Sequence, residues 1–162
     1  MDSHDTLVLI AEIAVGLAGF SSVVVALDNR AVRDWSAVRR FNLRILLQVS
    51  AVAIFFSLFP LIFERVIEPP TSWRLACAAY GLYHLIDAGT FALRLPPGAD
   101  LAPRVTSRSG VLIALCQLSV AALGSLQACE VTYLIVLVWH LSVAALGFAL
   151  LVYSSDGAGG VP

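Results

Sequence analysis

The stretch 131–153, VTYLIVLVWHLSVAALGFALLVY, decides the class of this protein. It carries no acidic residue and no arginine, and its most polar side chains are Thr132, His140 and Ser142. A helix of this length reaches roughly 34 Å, enough to cross the hydrocarbon layer of a bilayer. The polarity does not alternate with a period of two, as a membrane barrel strand would require.

Four more apolar blocks precede it, at 6–27, 43–66, 72–95 and 110–128. The third is the most polar. Hydrophobic residues make up 59% of the 162, charged residues 13%, and the mean hydropathy is +0.89. A soluble domain this small needs about twice that share of charge to cover itself. The expectation is an all-α integral membrane protein of a bacterial inner membrane. It is a five-transmembrane-helix bundle forming one domain over 1–155, with 156–162 as a flexible tail. The start, MDSHDTL, is acidic and leads into a block too long for a cleavable signal.

Loop charge sets the expected orientation. Between the first two blocks lie Arg30, Arg33, Arg39, Arg40 and Arg44, and between the third and fourth lie Arg94, Arg104 and Arg108. The other side keeps only Arg65 and Arg74, beside the acidic start and Glu130. Five crossings and the positive-inside rule then place the N-terminus outside and the C-terminus in the cytoplasm. In AVRDWSAVRRF, Val32, Trp35 and Val38 recur every three residues, which predicts a short interfacial helix capped by Asp28 or Asn29, with Trp35 at headgroup depth. Pro69-Pro70 and Pro96-Pro97-Gly98 close spans, and Pro60 predicts a kink in the second.

The segment LSVAALG occurs twice, at 118–124 and 141–147, preceded by Gln117 and His140 respectively. The spacing predicts consecutive antiparallel helices with Ser119 and Ser142 near mid-depth. The small residues around them, such as Ala121, Ala144 and Gly147, predict close helix packing, and Gly16, Gly19 and Ser22 give the first block the same texture.

Ionisable side chains at membrane depth are costly and mark candidate sites. His84 and Asp87 lie three residues apart near the centre of the third block and share a helix face. His140 is central in the fifth, Glu12 lies in the outer half of the first, and Gln48 lies in the inner half of the second. Glu64 and Glu130 fall at the rim, where water reaches them. With Gln117, Ser119 and Ser142 these residues outline a pathway for protons or small ions, with Asp87 and His84 as the working pair, His140 facing them and Glu12 as outer acceptor. A second reading makes the polar residues interhelical glue in a structural or accessory subunit. A third makes His84 and His140 axial ligands of a haem b, or joins them with Asp87 and Glu12 around a transition metal.

Other classes lack their signatures. No span carries regularly spaced arginines for voltage sensing, and no filter sequence, phosphate-binding loop or HExxH motif occurs. A net charge of −1 without a basic tract gives no footprint for nucleic acid. No nucleophile–base constellation marks an enzyme. Cys77, Cys116 and Cys129 have no metal spacing and read as small packing residues, although Cys77 and Cys129 fall at similar depth and a disulfide between them is open. Five helices are few for a two-gated cavity and their number is odd, so the expected partners are the bilayer, further copies in a homo-oligomer, and a small ion or solute.

Overall fold

The computed structural model describes residues 2–28, 31–94 and 101–153. The regular structure of the described chain is all helical: α1 (Ser3–Leu27), a single 3-10 turn (Val32–Asp34), α2 (Ala37–Phe63), α3 (Pro69–Arg94), α4 (Leu101–Leu123) and α5 (Leu126–Tyr153).

Local chemistry sets the ends. Asp2 caps α1, accepting from the Asp5 N–H at 2.8 Å, while the Asp5 carboxylate reaches back to the Asp2 N–H. Ser36 opens α2 by accepting from the Arg39 N–H at 3.3 Å. Helix α2 runs through Pro60 and ends one turn later at Phe63, where the Glu64 N–H donates to the Pro60 carbonyl at 2.9 Å. Pro69 starts α3, a position whose N–H would have no helical partner in any case. Between α4 and α5 the chain breaks at Gly124 and Ser125. A Cβ on Gly124 would stand 2.5 Å from the Val120 carbonyl oxygen, so only glycine fits there. Ser125 then caps α5 through the Ala128 N–H at 3.2 Å.

Five helices form, but among the described residues only α1, α2 and α5 are long and apolar enough to cross a membrane. This corrects the five-span expectation. Helix α3 carries Arg74, His84 and Asp87 among its tyrosines and glycines, which lowers its apolarity below that of a span. Helix α4 spends its first turns on LAPRVT, and its apolar part, Ser107–Leu123, is shorter than a crossing needs. The orientation argument falls with the two spans. If α3 and α4 do not cross, the arginines at 65, 74, 94, 104 and 108 share one side and those at 30, 33, 39, 40 and 44 the other, five against five, and charge no longer chooses.

The interfacial helix is also corrected. Only Val32–Asp34 makes a turn, and Val38 to Phe41 already belong to α2. Asp28 ends α1, and Asn29 lies outside the described residues, as do Pro96-Pro97-Gly98 and the 156–162 tail.

Contacts divide the chain into two compact units. One takes in residues up to Leu58 and those from Leu137 onward; the other is Phe59–Val136. In the first unit, Trp35, Leu46, Val49, Ala144 and Leu151 form a buried apolar cluster. Trp35 is 2% exposed, so it is a core residue and not a headgroup anchor. The Arg39 guanidinium stands 3.9 Å over its ring and pairs with the Asp28 carboxylate at 2.5 Å. Gly147 lets α5 approach α2, since a Cβ there would touch Leu46 at 3.6 Å.

In the second unit, α3 and α4 pack along their length, and glycine sets the approach at two levels. A Cβ on Gly81 would come within 3.1 Å of Leu118, and one on Gly110 within 3.0 Å of the Ala88 Cβ. At the second level the Ser107 hydroxyl also donates to the Ala88 carbonyl at 3.1 Å.

Candidate functional site

Helix α3 buries a stripe, Trp73, Cys77, Tyr80, His84 and Ala88, spaced three or four residues apart, with Ala76 beside it. Most of these are not aliphatic, and their rings form a series. The Trp73 indole N–H donates to the Glu64 carboxylate at 2.5 Å. Trp73 meets Tyr133 of α5 edge to face at 5.7 Å between ring centres. Tyr133 meets Tyr80 at 5.3 Å, and Tyr80 stacks on His84 at 6.2 Å. His84 is 2% exposed, and its Nε2 lies 3.3 Å from where a Gly110 Cβ would be. Gly110 thus supplies the space the imidazole occupies.

Asp87, one turn beyond His84 on α3, is partly buried, and its backbone carbonyl accepts from the Thr90 hydroxyl at 3.0 Å. Gln117 of α4 is fully buried, and among the described residues its side-chain amide makes no well-formed hydrogen bond. Its backbone carbonyl accepts from the Cys77 thiol at 3.5 Å. Such an amide is an uncompensated cost unless something polar visits it.

The other residues singled out in the sequence differ in burial. His140 is buried in the first unit beside Trp139, whose ring it meets edge to face at 5.4 Å. Glu12 and Gln48 are exposed on α1 and α2. Ser119 and Ser142 are exposed as well, and each hydroxyl donates to the carbonyl one turn back, Leu115 at 2.8 Å and Val138 at 2.9 Å. The two LSVAALG copies keep one helical phase: Gln117 and His140 point inward and the serines outward. The small residues of the helices do not all mediate contact. A Cβ on Gly16 or Gly19 would meet nothing within 4 Å among the described residues, whereas Gly81 and Gly110 make close approaches.

Reading depth alone missed Trp73, Tyr80 and Tyr133, because aromatic residues count as ordinary span composition. The signal was present in the positions 73, 77, 80 and 84, which fall on one helical stripe. Glu64 was read as a solvated rim residue, yet it is half-buried and holds the Trp73 indole.

Among the described residues no three His, Cys, Asp or Glu side chains gather as a metal site would require. The chemistry of the stripe is that of proton donors and acceptors: a neutral imidazole offers one of each, and a phenol hydroxyl does both. Comparison of the chain with protein-family models, with curated proteins and with solved structures gives no match in any of the three.

Proposed function

We propose that this chain is a multi-pass membrane subunit that moves protons or a small ion, with the inner stripe of α3 as its working surface. The observation that carries this reading is the contact series Tyr133–Tyr80–His84 inside one unit, with Asp87 one turn further along. An indole N–H only donates, so Trp73 anchors the Glu64 end of the series and the relay proper begins at Tyr133. Gln117, whose backbone carbonyl accepts from Cys77 one turn from Tyr80, also carries a buried amide that offers a donor and an acceptor to a passing water or hydrated ion. His84 and Asp87 remain the pair on which conduction depends.

The test is proton flux into proteoliposomes holding a pH-sensitive dye, driven by a potassium diffusion potential. The expected outcome is measurable flux that falls to the level of empty vesicles in His84→Ala and in Asp87→Asn. Wild-type flux in both variants overturns the reading.

A specific observation favours a second reading, a structural or accessory subunit assembled as a homo-oligomer. Glu12 is exposed in the long apolar stretch of α1 between Leu7 and Phe20, close to Gly16 and Gly19, where an added Cβ would meet nothing within 4 Å among the described residues. A second copy packed on α1 would cover this carboxyl. Native mass in detergent tests it: Glu12→Gln lowers the oligomer fraction if α1 is the seam and leaves it unchanged otherwise. The metal reading draws no support from the arrangement, since among the described residues no three His, Cys, Asp or Glu side chains gather.

A further inference from the structure

The thiols of Cys77 and Cys129 meet at one end of the Phe59–Val136 unit. Both residues are fully buried. Cys77 on α3 donates to the Gln117 carbonyl at 3.5 Å, and Cys129 on α5 donates to the Val120 carbonyl at 3.6 Å. Those carbonyls are three residues apart on α4 and so lie on one side of it. The two thiols also interact directly with each other. The surrounding backbone holds the arrangement. Gly81 lets α3 close onto Leu118, between the two accepting residues, and the Gly124–Ser125 break brings the chain back so that α5 presents Cys129 one turn after it starts.

We propose that Cys77 and Cys129 form an intramolecular disulfide, a covalent staple between α3 and α5, when the protein meets an oxidised low-molecular-weight disulfide. In the reaction one cysteine thiolate attacks the external disulfide, forming a mixed disulfide and releasing one small thiol. The second cysteine then displaces the other small thiol. Two S–H bonds are lost and one S–S bond forms; the electron pair reduces the incoming disulfide, which leaves as two thiols. Both sulfurs are buried, so an external disulfide reaches them slowly, and the same burial shields the finished bond from reductants. The staple is a structural lock and not a rapidly cycling redox centre. The third cysteine, Cys116, is exposed and takes no part.

The experiment uses the full chain in detergent, treated with oxidised glutathione, then denatured and labelled with a maleimide mass tag. Untreated protein takes a tag on each of its three cysteines. The expected result after treatment is one tag, on Cys116, and an intact mass lower by two hydrogens, with dithiothreitol restoring all three tags. In Cys116→Ser the treated protein takes no tag and keeps the same mass loss. In Cys77→Ser and in Cys129→Ser that mass loss disappears. Retention of all three tags overturns the proposal, as does a mass gain from bound glutathione in place of the hydrogen loss. Loss of two hydrogens in Cys77→Ser overturns it as well, because Cys116 would then be the partner.

Discussion

The two units bury their aromatic residues in opposite ways. In the first, Trp35 stands among aliphatic side chains, with the Arg39 guanidinium across its face and Asp28 neutralising the charge. In the second, Trp73, Tyr133 and Tyr80 touch one another and end on an imidazole, in a unit that also buries the Gln117 amide. The first interior sets its aromatic residue among aliphatic side chains and a charge pair, and it too buries polar groups, among them Ser50, Ser57 and His140. The second interior sets its buried imidazole at the end of a run of touching aromatic rings. One hydrophobic sequence therefore buries its aromatic residues in two ways, and the proposed working surface lies in the second.

The sharpest way to break this contrast is Trp35→Ala, which empties the centre of the first cluster. The expected loss is about 3–5 kcal/mol, read as a large fall in the thermal midpoint in detergent, with His84-dependent flux lost only through unfolding. A fall no greater than that of a surface variant would show that Trp35 is not a keystone. Next comes Asp28→Asn, which leaves Arg39 buried without its counter-charge; a loss of about 2–3 kcal/mol is expected, and the double variant Asp28→Asn with Arg39→Met should recover much of it. An uncoupled double-variant cycle contradicts the clamp.

In the second unit, Gly110→Val places methyl groups where His84 and Ala88 already stand. Overpacking of about 1–3 kcal/mol is expected, and flux should fall even in protein that remains folded, because the imidazole must move. Gln117→Leu separates packing from chemistry: stability should hold or rise by up to about 1 kcal/mol as an unsatisfied amide is removed, while flux declines. Lower stability would mean that the amide serves the fold. The smallest effects belong to Ser119→Ala and Ser142→Ala, expected within about 0.5 kcal/mol and without change in flux, since both hydroxyls return to their own helix.

Much of the helical layout was legible beforehand. The blocks at 6–27, 43–66 and 131–153 fall inside or close to α1, α2 and α5, because an uninterrupted apolar run has one stable form in hydrocarbon. The blocks at 72–95 and 110–128 were legible as helices but misread as spans. Their length came close, but α3 carries its polar groups inside the helix and α4 keeps only a short apolar run. Candidate residues fared according to helical phase. Gln117, His84 and His140 are buried, while Glu12, Gln48, Ser119 and Ser142 face outward. Depth along a helix is countable from a sequence, but which way a residue faces depends on which stripe meets a neighbour. In a helix apolar all round, composition does not mark that stripe.

The sequence by itself determined that this is an all-helical chain with helices of membrane-spanning length, where most of those helices stop, and which few side chains are expensive to bury. These follow from local rules: apolar run length, capping side chains, proline and glycine. The tertiary structure alone decided that Trp35 belongs to a core, that Gly81 and Gly110 rather than Gly16 and Gly19 bring helices together, and that Tyr133 joins Tyr80 and His84. Each of these depends on contacts between residues far apart in the chain, set by which shapes interlock when the helices pack.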